Sequence, residues 1–457
     1  MLLGRKFQAF VEASPVSVMV RGTLERVLHP ETVNGLFSDH AVSQYTLKIT
    51  FAQCVQIMDA VVFKMEPSVG AWYQNNAHAL PATRQALYDK LRHVEPVVSA
   101  ALVHHAGTEL LSCVERMKAA PKAVLPGFRL RVLDGNHLTG TEHRLKGLRG
   151  TRAAALPGQA LVLYDQRFDL ITEVVPCEDA YSQERSLLDQ VLPLVAANDC
   201  IVADRNFCTT GFLFGLVERN GFFVIRQHGT TLTYKALGKA TPARKDAQGR
   251  KLKEQRLCLT DPKSGKTLIV RRIIIPLRKP NDKGEKELYV LTNLPVRKAT
   301  TRLVAELYAD RWTIETAFQQ LTQDLRCEID TLAYPRAALL GFSLACVAYN
   351  AVSLVKAAIR AVAGAEFVTE KLSMYYLTLE VARVSGGMEI AIPEKEWCIF
   401  RRMSPREFLA TIMYLASRLR MQKYTKHKRG PKKKQPKKTS GKRFHHVSTA
   451  RILAGSR

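Results

Sequence analysis

The sequence contains no acidic residue after Glu407. Of the 27 net positive charges, 15 therefore collect in the last 50 residues: 13 Lys and Arg between Arg418 and Arg443, then Arg451 and Arg457. The stretch KHKRGPKKKQPKKTSGKR mixes Pro and Gly with Lys and cannot build a core, so residues 418–457 are expected to form a basic arm that stays mobile until it meets an anion. Paired cysteines are missing too. Nine Cys scattered without a CxxC spacing argue against a disulfide framework or a zinc site and for reduced thiols in a cytoplasm. The first residues, MLLGRKFQAFVEASP, carry Arg5, Lys6 and Glu12 and have no continuous apolar core, so they do not read as a signal peptide. One membrane-like run occurs, Ala337 to Val355, 19 residues without a charge. It is long enough to span a bilayer, but Gly341, Ser343, Asn350 and Ser353 interrupt it. A helix buried in a large domain gives the same pattern and is the reading adopted.

What is present is an ordinary globular composition. With 457 residues, 46% of them hydrophobic and 8% aromatic, the chain can bury a sizeable core divided among roughly two to four domains. A pI near 9.8 draws a protein to nucleic acid, an acidic membrane surface or an acidic protein. The body keeps 12 positive charges without the arm, which favours nucleic acid.

Periodicity divides the chain. Residues 1–120 read mainly as helices. LPATRQALYDKLRHVEP places Ala86, Leu87, Leu91 and Val94 near helical spacing after Pro and Thr, and ends before Pro96. This region is a candidate for DNA end binding. From 121 to 228 the pattern becomes α/β. PGFRLRVLDGNHL alternates as a half-exposed strand that breaks at Asp134-Gly135-Asn136. QALVLYDQRFDLITEVVPCED reads as two further strands with a turn at Asp165 to Arg167. SQERSLLDQVLPLVAAN is helical in spacing, CIVADRNF a buried strand, TTGFLFGLVERNG a helix and FFVIRQHG a strand. Residues 229–296 are polar and Gly-containing with strand-like runs, a β-rich insertion. Residues 297–365 return to helix, with Leu307, Trp312, Ile314, Phe318 and Leu321 on a broad apolar side. Residues 366–417 form a C-terminal helical region ahead of the basic tail.

Asp134 and Asp204 each follow a strand pattern, a place where a carboxylate is often only a turn or cap residue. Tyr308, Arg311 and Glu315 stand three and four residues apart and so share one helical face. An Arg and Glu pair on a solvated face contributes only ~0.5 kcal/mol, but the apolar flanks Trp312 and Ile314 argue against an exposed helix. His137, three residues after the first Asp, is expected to stabilise the turn. SGKT at 264–267 fails as a phosphate loop because position 260 is Thr.

The set Tyr308, two residues, Arg311, three residues, Glu315 resembles the Tyr-Arg-Glu-Lys signature of DDE transposases of the insertion-sequence-four family, including Trp after the Arg and Ile before the Glu. The chain order matches as well: an Asp in VLDGNH, an Asp in VADRNF, a β-rich insertion, then the Glu on a helix. The resemblance runs from about residue 100 to the end. One position departs from it: the family carries Lys seven residues after the Glu, where this chain has Thr322.

The resemblance implies a ribonuclease-H-like catalytic core interrupted by the β-rich insertion. It implies cut-and-paste recombination on double-stranded DNA, with inverted-repeat ends and target DNA as partners, a homodimer in the synaptic complex and no membrane. Asp134, Asp204 and Glu315 would hold two Mg²⁺, for which Mn²⁺ can substitute, with Asp134 shared between them. Tyr308 and Arg311 would position phosphate or the Glu315 carboxylate. Hard cations prefer carboxylate oxygen, which suits Asp and Glu at these positions. The alternative is a transposase-derived DNA binder whose catalysis has lapsed, consistent with Thr322. Either would work in the cytoplasm, at the nucleoid.

Overall fold

The computed structural model describes residues 3–44, 48–138, 155–156, 158–180, 182–246, 248–280, 284–327, 329, 332–427 and 447–455. The chain opens with helices α1 (Gln8–Ala13), α2 (Pro15–Val27), α3 (Pro30–His40), α4 (Phe51–Val62), α5 (Val69–Asn76), α6 (Arg84–His93) and α7 (Pro96–Arg116). Thr50, Ser68 and Thr83 start α4, α5 and α6 by accepting a hydrogen bond from the backbone N–H three residues on, which satisfies a donor the helix leaves free. Helix α6 is the one expected from its spacing, with Leu87, Leu91 and Val94 fully buried.

Then come strands β1 (Arg129–Leu138), β2 (Ala155–Leu156), β3 (Gly158–Asp165) and β4 (Leu170–Cys177), helix α8 (Leu188–Val191), β5 (Asp199–Ala203), α9 (Thr210–Glu218) and β6 (Phe222–Arg226). Strands β7 (Thr233–Ala236), β8 (Thr241–Lys245), β9 (Lys251–Thr260), β10 (Thr267–Pro276) and β11 (Glu287–Thr292) follow. One mixed sheet takes them in the order β4-β3-β1-β5-β6-β11-β10-β9-β7, with β8 paired to β9. β1, β5 and β6 are parallel neighbours, while β3 and β4 on one side and β11 to β7 on the other are antiparallel. The stretch expected as a β-rich insertion is β-rich and extends this same sheet, through pairing of Leu291 with Ile225.

Three local expectations fail for identifiable reasons. β1 is not half-exposed: Arg131 is 2% exposed and donates to Asp199 at 2.9 Å, to the Leu194 carbonyl and to Thr172, so an apparent solvent position is a buried charge paired with a carboxylate. Nor does β1 turn at Asp134. It runs on to Leu138, because β3 supplies partners for Asp134 through Leu138; His137 is therefore an exposed strand residue, not a turn residue. The helix expected in SQERSLLDQVLPLVAAN is broken into a 3₁₀ turn, the single turn α8 and a second 3₁₀ turn containing Pro193, whose ring nitrogen cannot donate to the preceding turn.

The C-terminal third adds α10 (Thr301–Ala309), α11 (Thr313–Gln323), α12 (Pro335–Ala363), α13 (Met374–Ala391), α14 (Glu394–Arg402), α15 (Pro405–Ser417), strand β12 (Val447–Ser448) and α16 (Thr449–Gly455). α12 holds the long uncharged run and is buried along most of its length, against α7, α4, α15 and β4. Its Asn350 accepts from the Ile171 N–H at 2.8 Å and donates to the Ile171 carbonyl at 2.6 Å, so it stands in for a missing strand at the edge of β4. Gly107 lets α7 lie against that strand, since a Cβ there would sit 3.0 Å from Thr172 Cα. α2 packs on α12, α13, α14 and α15, so the helical regions at 1–120 and 366–417 share a core.

The arm expected over 418–457 is tied down at both described ends. Tyr424 is buried and its hydroxyl donates to Glu380, and Ser373 N–H donates to the Tyr424 carbonyl at 2.8 Å. β12 pairs in parallel with β2, and Ser448 and Arg451 both donate to Asp179. Residues 428–446, most of the Lys-rich stretch, lie outside the described residues.

Candidate active site

Strand register alone brings the two aspartates level. Leu133 pairs with Ala203, and Ala203 with Ile225, so the next residues on three adjacent parallel strands are Asp134, Asp204 and Arg226. β5 stops there while β1 continues, which leaves Asp134 without a neighbour on its β5 side. Side chains alternate along a strand, so Asp134 points to the same face as Val132, the face covered by α10 to α12.

From that face α10 and α11 deliver the remaining residues. Thr300 caps α10, and its start is anchored from the sheet extension: buried Arg271 donates to the Leu294 and Ala299 carbonyls and to Glu254, while Glu254 accepts from Thr301 at 2.5 Å. The single helix expected across 300–325 is interrupted by a 3₁₀ turn at Asp310–Trp312. Arg311 lies in this turn and is buried. Its Nη1 lies 2.8 Å from Asp134 Oδ2 and its Nη2 3.3 Å from Glu315 Oε1. The Tyr308 hydroxyl donates to Asp204 Oδ1 at 3.3 Å. All five residues singled out in the sequence thus meet in one place. Trp312 does not join the apolar side expected of it: it is 61% exposed and lies beside the Arg311 guanidinium, 5.4 Å from the ring centroid.

Burial differs between the carboxylates that Arg311 bridges. The Asp134 side chain is 19% exposed and that of Glu315 42%. Burial pushes the Asp134 carboxyl up to about 6; Arg311 and the Gly135 N–H pull it down, and Glu184 and Glu315 add to the rise. Burial also lifts the Tyr308 phenol to about 12, reinforced by Asp204, so Tyr308 stays a donor at neutral pH. For Arg311, burial weakens the charged form, but Asp134, Tyr308, Asp204 and Glu315 outweigh it and raise its pKa.

Two further charged residues belong here and were missed in the sequence. Arg226 Nη1 lies 3.9 Å from Asp204 Oδ1 and Nη2 2.5 Å from Glu285 Oε2. Its signal was visible: like Asp134 and Asp204, it is the first charge after a buried strand run. Glu184 gave no such signal, since it reaches the site from a 3₁₀ turn. Thr322, at the position of the expected Lys, donates to the Phe318 carbonyl at 2.9 Å and so turns its hydroxyl back onto its own helix.

Residues 126–351, just under half of the chain, match the family model described as the transposase DDE domain. All five residues, Asp134, Asp204, Tyr308, Arg311 and Glu315, fall inside this DDE-domain match. Among solved structures the chain is similar to the piggyBac transposase in a cryo-EM synaptic complex with hairpin DNA, at 8% identity and a TM-score of 0.38, covering 83% of this chain and 82% of that one. No curated protein matches the chain significantly.

The donor set suits a hard divalent cation, being all carboxylate oxygen. Among the described residues no three His, Cys, Asp or Glu side chains converge closely enough to hold an ion as they stand. The positive charge between Asp134 and Glu315 is the Arg311 guanidinium.

Proposed function

We propose that the chain is a DDE transposase of the insertion-sequence-four kind, with a ribonuclease-H-like core, that binds inverted-repeat ends and catalyses DNA strand cleavage and strand transfer. The observation that carries this reading is the convergence of Asp134, Asp204, Tyr308, Arg311 and Glu315 inside the stretch that matches the transposase DDE domain. In this reading Asp134, Asp204 and Glu315 hold two Mg²⁺, for which Mn²⁺ can substitute. When bound, such ions stabilise the attacking and leaving oxygens of a phosphodiester displacement.

The chain's own residues supply the rest. Arg311, already a double donor to carboxylates, is placed to offer its remaining N–H groups to a phosphate near Asp134. Tyr308 remains protonated and fixes the Asp204 carboxylate, leaving its other oxygen for a ligand. Arg226 approaches the same oxygen, Oδ1, at 3.9 Å. The mostly buried Asp134 is the group whose protonation competes with metal. Water would first free a 3′ hydroxyl at the element end, and that hydroxyl would then attack target DNA. The basic arm would add sequence-independent grip on phosphates, with a homodimer forming at the paired ends and the protein acting in the cytoplasm on nucleoid DNA.

A second reading, a DNA-binding protein whose catalysis has lapsed, draws on Thr322, which provides no cation and spends its hydroxyl on Phe318. One experiment separates them: incubate the purified protein with the DNA flanking its own gene, with Mg²⁺ or chelator, and map cuts to the nucleotide. Metal-dependent cuts at the element boundary support the enzyme. Binding without any cut, in Mg²⁺ and in Mn²⁺, supports the lapsed binder.

A further inference from the structure

Glu184 opens the 3₁₀ turn Glu184–Leu187, whose position is fixed because Leu187, Leu188 and Val191 are buried in the apolar cluster with Phe207. Its carboxylate is pressed against β1: a Cβ built on Gly135 would lie 2.0 Å from Glu184 Oε1 and 2.7 Å from its Cδ. No side chain can therefore stand at position 135 without moving Glu184, and the Gly beside Asp134 is explained by this approach. The second oxygen, Oε2, accepts from the Asn206 side chain at 3.2 Å, and Asn206 lies two residues beyond Asp204. One carboxylate thus touches both segments that carry the aspartates. It does so from the sheet face opposite the one used by Arg311 and Tyr308, because Gly135 and Asp134 point to opposite sides of β1.

We propose that Glu184 is a positioning residue of the carboxylate site, a strut that fixes the spacing between the strand presenting Asp134 and the turn presenting Asp204. This rests on the reading of Asp134, Asp204 and Glu315 as metal ligands. A group that orients ligands without touching the ion typically alters metal affinity about 10- to 100-fold when removed. It does so here by letting β1 and the Asp204 turn drift relative to one another.

The test uses the full-length protein and two readouts: Mn²⁺ binding without DNA, followed by the EPR signal of free ion, and the Mn²⁺ concentration giving half-maximal nicking of end DNA. Glu184→Ala is expected to raise both midpoints by about 10-fold, and Glu184→Gln, which keeps the shape and an acceptor for Asn206, by less. Gly135→Ala, which displaces the carboxylate, should mimic Glu184→Ala in the parent chain and add little in the Glu184→Ala background. Should Glu184→Ala fail to fold in a melting assay, Glu184→Gln and Gly135→Ala carry the comparison. Unchanged Mn²⁺ midpoints in the folded Glu184 variants, with weakened binding in Asp134→Asn, overturn the strut and leave the metal site standing. Unchanged binding in Asp134→Asn and Asp204→Asn as well overturns the site reading itself.

Discussion

Arg311 donates to Asp134 at 2.8 Å across 177 residues of sequence. The pair closes the space between the sheet and the helices, and Arg311 also reaches Glu315 at 3.3 Å. One cation therefore offsets two carboxylates that, on the proposed reading, a metal would neutralise.

Removing that cation should expose the substitution. Arg311→Ala leaves the mostly buried Asp134 without its partner, at a cost of about 3 kcal/mol, the lower end for orphaning a buried charge. Added Mn²⁺ should restore more stability to this variant than to the parent chain. Urea denaturation with and without Mn²⁺ near neutral pH measures both; an equal response to metal in the two proteins contradicts the account.

Chemistry should fail selectively at the three carboxylates. Asp134→Asn, Asp204→Asn and Glu315→Gln are each expected to lower strand cleavage by about 10³-fold or more, a barrier increase of roughly 4 kcal/mol, with end-DNA affinity largely kept. Gel-shift and nicking assays on the same preparations give the two numbers. Parent-like cleavage in all three variants would remove the assignment.

The Lys-rich stretch should govern salt sensitivity more than specificity. Replacing the nine Lys and Arg between 428 and 446 with Ser, while keeping Tyr424 and Ser448 at their anchors, should flatten the plot of log affinity against log salt by about 0.9 for each phosphate no longer neutralised. Binding isotherms at several salt concentrations read the slope, and an unchanged slope places the phosphate-binding cations elsewhere on the body.

Asp59 gives a pH test away from the site. Its Oδ1 is buried without a hydrogen-bond partner, and burial pushes the carboxyl up to about 8, with Arg21 pulling down and Glu389 adding to the rise. The folded state thus holds a proton that the unfolded chain releases near its ordinary value. The resulting stability is complete below about pH 4 and is lost as pH climbs through about 8, by up to about 1.4 kcal/mol per unit. Asp59→Asn should remove that slope and gain on the parent chain between about pH 6 and 9. Denaturation curves at those two pH values decide it; a constant difference between the proteins counts against the burial argument.

Much of this was legible in the chain. Alternation gave β1, short apolar runs gave β5 and β6, the spacing of Leu87 and Leu91 gave α6, and the Tyr308, Arg311 and Glu315 spacing led to the site. The rest depended on partners distant in sequence. Arg131 reads as a solvent residue until Asp199 and Thr172 are seen around it, and Asp134 reads as a turn until β3 continues the ladder past it. Glu184 acquires meaning only when its turn is seen packed against Gly135 and Asn206. The 3₁₀ turn at Asp310–Trp312, which carries Arg311, has no signature in apolar periodicity.

The packing of α2 against α13, α14 and α15 carries a consequence for how the chain is made. Helix α2 has apolar partners that are synthesised roughly 350 to 400 residues later. Until then Val16, Met19 and Val20, all fully buried in the finished protein, remain open to other apolar surfaces, including those of a second nascent chain. Contacts of such long sequence separation close slowly, and unfinished chains with exposed apolar helices aggregate readily. Synthesis slowed before residue 374, or a chaperone supplied during it, should therefore change the soluble yield more than any single core substitution.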